Sequence, residues 1–140
     1  MEARPHLDKE NPTLEELNEF FGKDRYAVEA TGCQIIEGRR GHGVAEMPIR
    51  DIHLNAQGHV MGGAIFTLAD FALALAANTG AGPCVSVSTD INYVSSPRGQ
   101  KLIATAECVK EGHRLSFYDI TITDDDGRVV AKASTVTCNV

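Results

Sequence analysis

Between Gly62 and Asn78 the chain reads Gly-Gly-Ala-Ile-Phe-Thr-Leu-Ala-Asp-Phe-Ala-Leu-Ala-Leu-Ala-Ala-Asn, and Asp70 is its only charge. A run this apolar, opened by two glycines, predicts a helix buried on nearly all sides. A carboxylate there is costly unless it is paired or hydrogen-bonded. Chemistry is the most economical explanation, because such a carboxylate can attack an electrophilic carbon or deprotonate a water. A structural acid, bonded to strand N–H groups or to a buried cation, is the alternative. Gly62 and Gly63 leave backbone N–H groups unobstructed at the positive end of the helix dipole, where a developing oxyanion could sit. Paired glycines serve a sharp loop-to-helix turn equally well.

Other residues could join them. Thr67, one turn before Asp70, can bond to it, to a substrate, or to its own backbone. In the loop His53-Leu-Asn-Ala-Gln-Gly-His59, Asn55 can offer its side-chain N–H to a carbonyl oxygen or simply shape a turn. His53 and His59 have the right side chains for acid–base work or for plain solvation. Ser86 falls early on the next strand, where strict alternation sets it opposite Val85, Val87, Thr89, Ile91 and Tyr93. Spacing then constrains the chemistry. Gly62 and Asp70 lie about 12 Å apart along one helix at 1.5 Å per residue, too far to meet on one carbonyl carbon. They can share a substrate if a second copy of the helix runs antiparallel beside the first, as in a two-fold dimer. If both act, the monomer is inert.

The elements that must position these residues follow from pattern. Thr13-Leu-Glu-Glu16 is a capping box, and Leu14, Leu17, Phe20 and Phe21 recur at helical spacing, so a short helix runs from about residue 13 to 21 and closes at Gly22. Ala27 to Ile49 is strand-like, broken by a hairpin at Gly38-Arg-Arg-Gly41. Asp51–Met61 is a polar loop before the apolar helix. Strands follow over 85–93, 102–110 and 115–123, and Asp124-Asp-Asp-Gly127 turns the chain into a last strand over 128–139. This is an α+β pattern. A helix apolar all round should be wrapped by the sheet. The expectation is a hotdog fold: a curved antiparallel sheet of five to six strands around one long central helix, with a short extra N-terminal helix. Residues 1–22 form a leader and that short helix, and residues 23–140 a single domain.

Bulk properties narrow the function. The chain has 140 residues, enough for one domain with its own core. A net charge of −6 supplies no basic stripe for nucleic acid. Cys33, Cys84, Cys108 and Cys138 are scattered, without Cys-x-x-Cys spacing, so neither zinc nor a disulfide framework is indicated. Met1–Asn11 is polar and has no signal-peptide pattern, and Ala64–Ala77 is too short for a membrane span. The expected location is the cytoplasm.

Taken together, His53-Leu-Asn55-x-x-Gly58-x-x-Met61-Gly62-Gly63, Leu68-Ala69-Asp70, Val85-Ser86-Val87, Tyr93 and Pro97 resemble the phenylacetate-pathway (PaaI-type) branch of the hotdog acyl-CoA thioesterases, over about Gly32 to Val140. The resemblance implies hydrolysis of acyl- or aryl-CoA thioesters without metal or prosthetic group. It further implies two sites at a homodimer interface, with dimers joining as homotetramers. It gives Asp70 the role of nucleophile or general base, Gly62 that of oxyanion donor, and Asn55 and Ser86 supporting roles. Met61, Gly63, Thr67 and His59 are the expected substrate neighbours. Where the family has histidine directly before Gly-Gly this chain has Met61, which cannot donate a proton, and His59 lies two residues earlier. A dehydratase would need a histidine at that position, so it ranks low. A non-catalytic acyl-CoA-binding module is the main alternative. CoA phosphates require cations, and Arg98, Lys101, Lys110 and Arg114, at strand ends, are the candidates or else solvated turn charges.

Overall fold

The computed structural model describes residues 4–140. Helix α1, Leu14–Phe21, begins at the capping box, where Thr13 and Glu16 satisfy each other's backbone N–H groups, and it buries Leu17 and Phe21. Leu17 packs beside Gly38. The segment before α1 is tied to the same body: the Gly80 N–H donates to the Leu7 carbonyl, and the Arg40 N–H to that of Glu10.

The first correction concerns the residues after α1. Tyr26–Thr31 forms a π-helical segment where extended chain was expected from Ala27. Arg25 and Glu29 clasp one turn apart with Nε–Oε1 at 2.8 Å, and the Cys33 N–H closes the segment on the Ala27 carbonyl. Those local bonds outweigh the apolar alternation. Strands β1, Gln34–Arg39, and β2, His42–Pro48, make the expected hairpin.

Helix α2, Gly62–Ala77, is followed by β3, Cys84–Tyr93, β4, Lys101–Glu111, β5, Leu115–Asp124, and β6, Val129–Asn139. All pairings are antiparallel, in the order β1-β2-β4-β5-β6-β3. Helix α2 lies chiefly on β2 and β4. Its Leu68, Ala72, Leu75 and Ala76 meet an inner sheet face of Ala45, Met47, Leu102, Ala104, Ala106, Ile120 and Ile122, all buried. The approach is close enough that a Cβ on Gly43 would stand 2.3 Å from the Ala72 carbonyl oxygen, so only glycine fits there.

The helix is not wrapped on every side. Gly63, Thr67, Asp70, Ala74 and Asn78 recur three or four residues apart along one strip that the chain leaves only partly covered, with Gly63 and Asp70 exposed and the other three half-buried. Beside it, β3 is an edge strand, exposed along most of its length, with Val85, Val87 and Tyr93 at 42%, 60% and 50%. No helix of the described residues is long and apolar enough to cross a membrane.

Candidate active site

The loop before α2 is held by His53. Its ring is buried: Nδ1 accepts from the Arg50 N–H at 3.0 Å, and Nε2 donates to the Thr31 carbonyl at 2.6 Å. These partners fix the neutral Nε2–H tautomer, so His53 is a strut and not an acid–base group. Its carbonyl accepts the Met61 N–H. Asn55 organises the rest. Its Oδ1 accepts from the N–H groups of Gln57 and His59 at 2.9 and 3.1 Å. Both partners are donors, which identifies the oxygen and leaves Nδ2 as a donor with no partner among the described residues. His59 belongs to this turn through its backbone, and its side chain is exposed.

At the start of α2, Met61 occupies the N-cap, 58% exposed and without a side-chain cap bond. The N–H groups of Gly62 and Gly63 have no acceptor among the described residues, since the first helical bonds run from Ala64 and Ile65 to the Met61 carbonyl. Tyr93 donates its hydroxyl to the Gly62 carbonyl at 3.1 Å, and a Cβ on Gly62 would meet the tyrosine ring at 3.0 Å. Tyr93 and Gly62 also line a cavity of about 300 Å³ with Val60, Ile65 and Pro97. Two unengaged N–H groups at a helix N-terminus, beside a packed tyrosine, are able to receive an anion.

Asp70 stands on the open strip, eight residues further along the helix. The expectation of a buried carboxylate is corrected for the single chain: Asp70 is exposed, because the chain covers this strip only in part. It is still crowded by protein on both flanks, and that partial desolvation pushes its carboxyl above the usual aspartate value. On one flank lie Ser86, Asn78 and Thr137, on the other Phe66, Thr67, Phe71 and Asp24. Thr67 takes the bland course: its hydroxyl donates to the Gly63 carbonyl at 2.9 Å. Ser86 shares a cavity wall with Asp70 by way of a β-bulge. The β3–β6 register slips between Ser86 and Ser88, so Ser86 lies opposite Thr137 and Thr89 opposite Thr135, both on the face toward α2. Strict alternation would have put Ser86 on the other side.

The four candidate cations do not form one cluster. Arg98 and Lys101 lie at the Gly62 end of the sheet, while Lys110 and Arg114 flank the β4–β5 turn, roughly 30 Å away along β4 at about 3.3 Å per residue. Lys101 pairs with Glu46 at 3.1 Å. A cation not singled out in the sequence, Arg128, joins the Arg98 end, where its Nε donates to the Ser95 hydroxyl at 3.0 Å.

Among the described residues the buried carboxylate is Asp124, read in the sequence only as a turn residue. It is 2% exposed and accepts four backbone N–H groups, from Arg98, Gly99, Asp126 and Arg128, which pull its carboxyl down to about 2. Asp124 is therefore a staple that fixes the Arg98 loop. No group of acidic, histidine or cysteine side chains among the described residues is arranged to hold a metal.

The sequence profile of the thioesterase superfamily matches residues 57–131, from the Asn55 turn through α2 into β6. The chain belongs to the thioesterase superfamily. Among relatives in that superfamily, human acyl-coenzyme A thioesterase 13 is 30% identical over 125 residues, covering 86% of this chain and 89% of its own. Escherichia coli acyl-coenzyme A thioesterase PaaI is 32% identical over 105 residues, 74% of this chain and 75% of its own. The solved structure of E. coli PaaI superposes with a TM-score of 0.83 at 25% identity, over 91% of this chain and 93% of that one. A hypothetical thioesterase protein from Streptococcus pneumoniae, crystallised with coenzyme A, superposes with a TM-score of 0.79 at 27% identity, over 88% and 96% of the two chains. The expected PaaI-type hotdog thioesterase fold is the one this chain has.

Proposed function

We propose that this protein hydrolyses acyl- or aryl-CoA thioesters to free acid and CoA, at a site shared by two copies of the chain. The observation that carries this reading is the open strip of α2. It presents Asp70 at one level and the unengaged Gly62 and Gly63 N–H groups about 12 Å away, at the helical rise of 1.5 Å per residue. A second α2 packed antiparallel on that strip sets Asp70 of one chain against the Gly62 corner of the other. The exposed edge of β3 lies beside the same strip and offers unpaired backbone groups for the same union.

In this site the thioester carbonyl oxygen accepts from the Gly62 N–H, with Asn55 Nδ2 beside it. Asp70 either attacks the carbonyl carbon or takes a proton from a water that does. The negative charge that grows on the oxygen is met by the N–H groups, the C–S bond breaks and CoA leaves as the thiolate. If Asp70 is the nucleophile, water then hydrolyses the mixed anhydride and regenerates the carboxylate. One oxyanion donor of this kind contributes about 3 kcal/mol to the transition state. A thiolate leaves without needing a proton, so Met61 in place of a histidine leaves the chemistry possible. The reaction needs no metal or prosthetic group. Ser86, on the same face as Asp70, orients the water or the carboxylate. Arg98 at the Gly62 end serves the CoA phosphates, and antiparallel packing returns the Lys110–Arg114 end of one chain to that region of the other. A dimer of dimers is supported by exposed Leu115, Phe117 and Val109 on the outer sheet face. Four free cysteines fit a reducing cytoplasm.

The test is a broad acyl-CoA panel scored for free thiol release, with Asp70→Ala as control. Turnover that Asp70→Ala abolishes supports the reading. Tight binding with no Asp70-dependent release would establish the second reading, a binding module, which Met61 favours.

A further inference from the structure

Asp70 stands between two unlike hollows. The smaller, about 220 Å³, has Ser86, Asn78 and Thr137 in its wall. The larger, about 440 Å³, is walled by Phe66, Phe71, Ala27 and Ala74, with Asp24, Arg25 and Tyr26 exposed at its rim. A thioester whose carbonyl sits at Asp70 must send its acyl arm to one side, and the aromatic hollow is the side that gains from burying hydrocarbon.

Asp24 is the anomaly in that wall. Its backbone is fixed at both ends, the N–H donating to the Phe21 carbonyl and the carbonyl accepting from Val28, each at 3.0 Å. The carboxylate is thus presented by the chain's own turn between α1 and the π-helical segment. Arg25, which lines the same hollow, gives Nε and Nη2 to Glu29 at 2.8 and 2.9 Å and makes no pair with Asp24. Among the described residues neither Asp24 nor Asp70 has a cationic partner. Burial and the Asp70 charge both push the Asp24 carboxyl upward, as expected of two carboxylates facing one hollow.

Resting on the thioesterase reading above, we propose that the larger hollow receives the acyl group and that Asp24 sets its specificity. It admits acyl ends that are neutral or donate a hydrogen bond, and it rejects acyl ends that carry a carboxylate. Asp24 was not singled out in the sequence, because it falls between the short helix that closes at Gly22 and the extended chain expected from Ala27.

Hexanoyl-CoA and adipoyl-CoA have the same number of acyl carbons and differ at the far end, methyl against carboxylate. The readout is the ratio of their kcat/KM values, adipoyl over hexanoyl, in wild type and in Asp24→Asn, Asp24→Glu and Asp24→Lys. Removing one like charge at close range should raise the ratio about tenfold in Asp24→Asn, and Asp24→Lys should raise it further. Asp24→Glu should keep the wild-type ratio, an outcome that a loss of packing would not produce. A ratio unchanged in Asp24→Asn and Asp24→Lys, with hydrolysis intact, overturns this proposal alone. A wild type that releases thiol from neither ester, nor from any other member of the panel, overturns the thioesterase reading and this proposal with it.

Discussion

Asp70 must be ionised to attack or to take a proton, and crowding by its neighbours opposes that ionisation. The sign of the linkage follows. A carboxyl whose folded value is raised holds its proton more tightly in the folded state, so its stabilising contribution is present at low pH and lost as pH rises through the raised value. Above that pH the ionised group is a net cost. Asp70→Asn should therefore lower kcat by about 10³-fold, the scale of a lost acid–base group. At neutral pH it should also raise the thermal midpoint, a gain that disappears in acid. Thiol-release assays and melting curves at several pH values check the two halves. In wild type the acid limb of the pH–rate profile should lie above the ordinary aspartate value. At the other end of the helix, Gly62→Ala would push a Cβ to 3.0 Å from the Tyr93 ring. Displacing that corner should cost about 10²-fold in kcat with little change in melting. The sequence led to Asp70 and Gly62 because charge in an apolar run and paired glycines are visible in one dimension. Asp24 was not legible, because its place depends on a turn closed by the Arg25–Glu29 clasp and by the Cys33 N–H. Asp124 looked like any hairpin acid until four N–H donors were seen to converge on it.

At the scale of elements, the site depends on segments that hold their shape without regular pairing. Asp124 joins the β5–β6 hairpin to the loop that carries Arg98, and Asp125 extends the staple by accepting from Gln100 and Lys101. A carboxyl depressed to about 2 stabilises the fold at pH values above its unfolded range, and that stability is lost as pH falls toward 2. Asp124→Asn keeps one acceptor and loses the charge. Its melting midpoint should fall at neutral pH and lose part of its acid dependence between about pH 4 and 2, which calorimetry across that range would show. The strands and α2 were legible from their periods, within a few residues. The bulge at Val87 was not, because strict alternation gives no sign of one extra residue, yet it is what turns Ser86 toward the helix. The π-helical segment was missed for a related reason: three of its six residues, Tyr26, Val28 and Thr31, suit a strand as readily as a wide helical turn.

At the scale of the molecule, a single chain leaves half of its proposed chemistry facing solvent. The apolar run of α2 suggested burial on nearly all sides, and the chain's own sheet supplies only part of it. The partly covered strip at Gly63, Thr67, Asp70 and Ala74 is what a second copy would cover. Ala74→Arg places a long cation one turn from Asp70, where the two closely packed helices of the proposed dimer would leave no room for it. That variant should run as a folded monomer by light scattering, with native circular dichroism and negligible thiol release.

The central claim, that Asp70 of one chain serves the Gly62 corner of another, is tested most directly by mixing two inactive proteins. Asp70→Asn and Gly62→Ala protomers are unfolded together, refolded as an equal mixture, and the mixed dimers counted by native mass spectrometry. Half of the dimers should be mixed, and each then carries one intact site, Asp70 from one variant facing Gly62 from the other. The mixture should regain about a quarter of wild-type turnover per protomer. Mixed dimers that form in the expected number, yet hydrolyse no faster than the sum of their parents, would contradict the shared site.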